Sequence, residues 1–190
     1  MKYVSIDLET TGLDARTCQV LEIGAVIADL NQCFNPQPCD IFHRYVRHPE
    51  YQGQPYALAL NQDILYILAA GEHPDITWVC DVIPDLAEWL YLRGHFNHDV
   101  AITVAGKNFA GFDKPFLQRL PKFNDHVKLH HRSLEPGTLF LRPGDTEVPG
   151  TEECMRRAGI DGSVAHTAVE DAKMVCRLLR YGFLTNTDRH

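Results

Sequence analysis

KYVSIDLETTG, residues 2–12, reads as a strand that runs into a turn: KYVSID alternates as an extended segment does, and Thr10, Thr11 and Gly12 then break it. Successive side chains of a strand point to opposite faces, so Asp7 and Glu9, two positions apart, project together from its end. Two converging carboxylates repel and are costly to hold unless something neutralises them. A hard divalent cation such as Mg²⁺, which takes oxygen ligands and keeps several waters, suits that role. A D-x-E pair alone is common on protein surfaces, so its meaning depends on the rest of the chain.

Working outward, Val20 to Leu30 is a long apolar run rich in β-branched residues, and Ile41 to His48 alternates well enough for a third strand, joined to the second through the turn Asn35-Pro36-Gln37-Pro38. Helical spacing follows from Tyr56 to Ala70, with Gly71 as a stop, and again from Ile76 to Leu92, interrupted or restarted at Pro84. Val100 to Gly106 is the short continuous apolar run of a buried central strand, and a weaker strand is expected at Val127 to Leu134. Between these two a helix carries Phe116, Leu117 and Leu120; further helices are expected at Thr151 to Ala158 and Ala168 to Tyr181. Strands first and mixed elements afterwards predict an α/β fold, a three-layer sandwich with a mixed five-stranded sheet.

The 190 residues, 45% apolar, suit one domain spanning 1–190, with no composition shift, repeat or low-complexity tract. No apolar run is long enough for a bilayer and Met1 leads straight into a strand pattern, so a soluble, cytoplasmic protein without membrane partners is expected. The six cysteines contain no C-x-x-C pair and read as reduced thiols. Cys33, Cys39, His43 and His48 fall close together, but their spacing matches no common structural zinc motif and an ordinary hairpin loop is the reading there. The net charge of −7 runs against a protein that grips long nucleic acid through its phosphates. One stretch is basic, with Lys114, Arg119, Lys122, Lys128 and Arg132, and can be either a steering surface for a polyanion or a solvated helix face.

Two further segments carry chemistry. In HTAVEDAKM, residues 166–174, Thr167 and Glu170 form a capping box before apolar Val169, Met174 and Val175, which starts a helix near Ala168. Asp171 then stands in the first helical turn, with His166 just outside it at the end of a glycine-containing loop. A rigid carboxylate beside an imidazole, whose ordinary pKa is about 6.5, suits a metal ligand and a general base. The other segment, GKNFAGFDKPFL, residues 106–117, supplies Asn108 and Asp113. Thr10, Thr11 and Gly12 offer backbone N–H groups and hydroxyls to a terminal sugar, Leu13 a surface for a base, and Phe109 and Phe112 are either stacking platforms or core.

SIDLETTG, Asn108 to Asp113 and His166 to Asp171 resemble, in order and position, the three motifs of the DEDDh, DnaQ-like 3′-to-5′ exonucleases of the ribonuclease H-like fold. The resemblance spans nearly the whole chain. It implies that Asp7, Glu9, Asp113 and Asp171 are metal-binding acids and His166 the general base, with Thr10, Thr11, Gly12, Leu13, Asn108 and Phe112 at the substrate. It implies two Mg²⁺ ions, with Mn²⁺ able to substitute, acting on the 3′ end of single-stranded RNA or DNA to release nucleoside 5′-monophosphates, and relatives that often form homodimers. The histidine places the chain with the DEDDh rather than the DEDDy branch.

Asn108 stands five positions before Asp113, a departure from the commonest proofreading pattern and similar to oligoribonucleases. That spacing and the acidic net charge slightly favour RNA or short oligonucleotides, which need few phosphate contacts. A DNA-trimming or proofreading exonuclease would use the same chemistry. A noncatalytic nucleic-acid-binding module on this fold would be expected to have a broken acid set, whereas all five positions are present here.

Overall fold

The computed structural model describes residues 1–33, 35–93, 96–161 and 167–187. Three antiparallel strands open the chain, β1 (Lys2–Thr10), β2 (Val20–Asp29) and β3 (Ile41–Arg47). A short strand, β4 (Ile76–Trp78), adds parallel to β3; on the other side of β1, β5 (Ile102–Ala105) and β6 (Leu129–Leu134) are parallel additions. The order is β4-β3-β2-β1-β5-β6, a mixed sheet of six strands rather than five. The additional strand is only three residues long and abuts a helical pattern, so periodicity merges it into the helix expected over Ile76 to Leu92.

The helices are α1 (Pro55–Leu60), α2 (Gln62–Ala70), α3 (Val82–Leu92), α4 (Asp113–Arg119), α5 (Phe123–His126), α6 (Thr151–Ala158) and α7 (Ala168–Thr187). The helix expected over Tyr56 to Ala70 is therefore two, broken at Asn61, whose buried amide donates to the Thr10 carbonyl at 3.0 Å. Gly71 ends α2 in the left-handed conformation (φ 74°), as its position predicts. Helix α3 starts at Val82, leaving Pro84 inside its first turn, where a missing N–H breaks no intrahelical bond. Among the described residues, no helix is long and apolar enough to cross a membrane.

Alternation along β1 divides the molecule into layers. Val4, Ile6 and Leu8 join Ile23, Ala25, the α3 residues Val82, Ile83, Leu86 and Leu90, and Phe116 and Leu117 of α4 in one core. Tyr3 faces the other way and packs with Val26, Ala105 and the α7 residues Ala172, Val175, Cys176 and Leu179. Each fully buried aliphatic side chain contributes on the order of 2 kcal/mol. The apolar end of this second face thus anchors α7, while its polar end carries Asp7 and Glu9.

Asp7 stands opposite Gly24 in the β1–β2 ladder, and Glu9 opposite Glu22. A Cβ at Gly24 would come within 2.2 Å of the Ala168 carbonyl carbon and 2.3 Å of the Val169 nitrogen, so the backbone of α7 rests directly on β2. Glycine is required here for close approach rather than for a special backbone angle. Gly24→Ala is expected to cost about 3 kcal/mol, the upper part of the range for overpacking a filled site. Urea unfolding would register the loss, and an unchanged midpoint would refute the seat of α7 on β2.

Candidate metal and nucleic-acid site

The strand period places Asp7 and Glu9 on the α7 side of the sheet, and Asp171 enters from the first turn of α7. Carboxylate oxygens of these three lie within 4.8 Å of one another, the only such metal-capable group among the described residues. Asp113, the first residue of α4, is 2% exposed and lines a cavity of about 470 Å³ together with Asp7 and Asp171. The three motifs therefore bring Asp7, Asp113 and Asp171 to one cavity, with Glu9 beside them in the lining of the adjoining cleft.

Their electrostatics show why the cluster suits a cation. Burial, then the charges of Asp113, Asp171, Glu9 and Glu22, push the Asp7 carboxyl well above its ordinary range. Glu9 is pushed up to about 7, first by burial and then by Glu22 and Asp171, against the hydrogen bond from Asn61. Asp113 also reaches about 7 through burial, despite backbone N–H groups that favour its charged form. Carboxylates this reluctant to ionise hold protons near neutrality, and a divalent cation is the natural replacement for those protons. The all-oxygen donor set fits a hard cation.

Helix α7 begins at Ala168, as the capping box predicts: the Thr167 hydroxyl accepts the Glu170 N–H at 3.4 Å and the Thr167 carbonyl accepts the Asp171 N–H at 3.0 Å. The Glu170 carboxylate accepts from Lys173 Nζ at 2.6 Å. His166, the expected general base, lies outside the described residues.

The connection from β5 to α4 forms another wall. Asn108 adopts the left-handed conformation (φ 54°), which asparagine tolerates better than most residues, and its N–H donates to Glu135 Oε2 at 2.6 Å. Asn108 and Phe112 line the carboxylate cavity, whereas Phe109 is 2% exposed and belongs to the core. Lys107 is the cation lining that cavity; the basic residues from Lys114 to Arg132 are not among its walls. Nothing in the motif spacing singles out Lys107.

A second cavity of about 260 Å³ adjoins the first, sharing Leu8 and Phe112. Leu13, Tyr56 and Leu60, respectively 76%, 81% and 56% exposed, give it an apolar lip, with Glu9 and Asn61 also in its lining. Large exposed apolar side chains around a cleft suit a flat aromatic ligand. Tyr56 and Leu60 escaped the sequence reading because their i, i+4 spacing reads as the buried stripe of a helix, whereas α1 presents them to solvent. Gly12 also lines this cleft. The hydroxyls of Thr10 and Thr11 serve the loop itself, donating to the Gly12 carbonyl at 2.7 Å and the Gln52 carbonyl at 2.6 Å.

The Cys33, Cys39, His43 and His48 cluster does not gather as a metal site. Both cysteines are exposed, His48 Nε2 meets the Val20 carbonyl at 2.8 Å, and His43 is held between Glu22 and Asp75. Burial alone would push His43 down, but its hydrogen bonds to the two carboxylates outweigh that and raise its pKa. Glu22, a buried acid beside Glu9, was hidden in the sequence as one polar residue of an apolar strand.

Among solved structures, the nuclease domain of 3′hExo, a DEDDh family member bound to rAMP, superposes with a TM-score of 0.68 at 14% identity, covering 97% of this chain and 92% of that one. Exonuclease I from Methylocaldum szegediense gives 0.66 at 19% identity, and E. coli Exonuclease I in complex with a dT13 oligonucleotide 0.65 at 16%. These two matches cover 95% and 94% of this chain, which spans 40% of each Exonuclease I chain. At such identities the likeness establishes the fold, which is ribonuclease H-like. Comparison with curated protein sequences gives no match. The sequence pattern of the RNase T exonuclease family matches residues 4–179, a span that takes in all three motifs and nearly every element of the sheet, and the chain belongs to this DEDDh, DnaQ-like family.

Proposed function

We propose that residues 1–190 form a single metal-dependent 3′-to-5′ exonuclease domain that releases nucleoside 5′-monophosphates from single-stranded nucleic acid. The observation that carries this reading is the convergence of Asp7, Glu9 and Asp171 oxygens within 4.8 Å, where a cavity lined by Asp7 and Asp171 adjoins an apolar cleft lined by Glu9. Asp7, Glu9 and Asp171, with Asp113 across the cavity, would hold the divalent cations; Mg²⁺ is the proposed species and Mn²⁺ its substitute. When bound, such cations neutralise phosphate charge and acidify water.

The protein's own groups supply the rest. The terminal base enters the cleft between Leu13, Tyr56, Leu60 and Phe112, where apolar contact and stacking hold it without regard to sequence. Asn108 and Lys107 face the sugar-phosphate on the opposite wall. A ring nitrogen of His166 takes a proton from the attacking water as its oxygen bonds to phosphorus and the bond between phosphorus and the 3′ oxygen breaks, the 3′ oxygen taking a proton from solvent. The shortened strand keeps that oxygen as its new 3′ hydroxyl, and the nucleotide leaves with its 5′ phosphate.

RNA or short oligonucleotides are favoured by the Asn108 to Asp113 spacing and by the net charge of −7. DNA trimming is the alternative, kept open by the dT13 bound to the structurally similar E. coli Exonuclease I. Digestion of 5′-labelled RNA and DNA of one sequence decides both points. A metal-dependent ladder shrinking from the 3′ end is expected, faster on RNA; absence of a ladder on either strand would refute the reading.

Two substitutions sharpen the assignment. Asp7→Asn is expected to reduce turnover to background, and His166→Ala to lower kcat about 10²–10⁴-fold, the usual contribution of a positioned acid–base group, while leaving Mn²⁺ binding mostly intact. Full activity in either variant would refute the role given to that residue.

The raised carboxyls also make metal-free stability depend on pH. Glu9 and Asp113 titrate at about 7 in the folded protein, against ordinary values of about 4 in an unfolded chain. Between these values the folded state holds more protons, so stability falls as pH rises through that window. The raised pKa of His43 acts in the same direction, its contribution being full below its ordinary value and lost as pH rises through the folded one. In chelator, Tm is therefore expected to be higher at pH 5 than at pH 8, and Mg²⁺ should raise it more at pH 8; the opposite order would contradict the protonated cluster.

A further inference from the structure

Glu22 is 2% exposed and stands on the same face as Asp7 and Glu9, yet it is not in the three-acid group. Its Oε1 meets His43 Nε2 at 2.8 Å, and His43 Nδ1 meets Asp75 Oδ2 at 3.0 Å. The chain carboxylate–imidazole–carboxylate thus runs from the sheet interior out to Asp75, whose side chain is 37% exposed. A buried acid among other acids is destabilising unless it is paired and makes further hydrogen bonds. His43 supplies the pair.

The other oxygen of Glu22 has a different partner. Oε2 accepts the Ala168 N–H at 3.4 Å, at the first residue of α7. The first N–H groups of a helix have no partner within it and favour negative charge nearby. Gly24, two positions along the same strand face, lets the Ala168–Val169 backbone approach to where a Cβ would stand. Glu22 and Gly24 together make the seat on which α7 starts, three residues before Asp171.

We propose that Glu22, fixed by His43 and Asp75, is a positioning residue that registers the first turn of α7 on β2 and thereby sets Asp171 against Asp7 and Glu9. The proposal rests on the metal-dependent reading of the site. Groups that orient a ligand from outside the coordination shell typically change metal affinity or activity by about 10–100-fold when removed.

The test is Mn²⁺ binding by the full chain without substrate, followed by electron paramagnetic resonance, together with steady-state kinetics on an oligonucleotide. Glu22→Ala is expected to weaken Mn²⁺ binding about tenfold and lower kcat by a similar factor, with KM for the strand unchanged. Glu22→Gln keeps an acceptor for Ala168 and an amide for His43, and should restore most of the affinity. In an Asp171→Asn background, Glu22→Ala should cause no further loss, because the two act through one carboxylate. Wild-type affinity in Glu22→Ala, an equal loss in the Asp171→Asn background, or a Gln variant no better than Ala would each overturn the proposal. Should Glu22→Ala fail to fold, His43→Gln removes the imidazole that joins Glu22 to Asp75 while leaving the contact of Glu22 with Ala168; a smaller loss that vanishes in the Asp171→Asn background supports the proposal, and unchanged affinity overturns it. A wild-type chain that binds no Mn²⁺ would overturn the metal-dependent reading and this proposal with it, whereas normal wild-type binding with an unaltered Glu22→Ala overturns the proposal alone.

Discussion

Like charges crowded on one face of two adjacent strands are the constraint around which this molecule is arranged. Asp7, Glu9 and Glu22 project from β1 and β2 toward the place where Asp171 and Asp113 arrive from two helices, and burial raises the cost of ionising them. Left to themselves such groups would push their supporting elements apart. They are held by structure remote from the charges: the β1–β2 ladder, nine residues long on β1, and the apolar contacts of Val175, Cys176 and Leu179 with Tyr3, Val26 and Ala105 further along α7. The polar end is tolerable because the apolar end of the same face is well packed.

The cleft beside the acids is tied to them through Asn61. Its amide interrupts what would otherwise be one helix, reaches the Thr10 carbonyl at the end of β1, and hydrogen-bonds Glu9. Asn61 thereby links the end of α1, which carries Tyr56 and Leu60, to the strand that carries Asp7 and Glu9.

What was legible in the sequence is what local rules govern. Strand alternation located Asp7 and Glu9 on one side, and the Thr167–Glu170 capping box located the start of α7 and hence Asp171. Motif order brought in Asp113, although its placement in the same cavity depends on the left-handed turn at Asn108, which Glu135 stabilises from just beyond the end of β6. The break at Asn61, the three-residue β4 and the roles of Glu22 and His43 were not legible, since each is decided by a partner distant in sequence. The Ala168 N–H and Glu22 are separated by 146 residues. Periodicity reports which face of an element is apolar, and says nothing of a lone buried acid or of an apolar pair turned outward, such as Tyr56 and Leu60.

The rims of the sheet have a consequence of their own. An unpaired strand edge is a template on which another chain can add, and long, flat, apolar edges invite accretion into insoluble assemblies. Here one rim is β4, only three residues long, with Arg47 of the neighbouring strand lying over Trp78. The other is β6, which carries His130, His131 and Arg132 in its middle. Neither rim offers a long greasy ladder, so the sheet that concentrates so much negative charge at its centre is also guarded against unwanted growth at its margins.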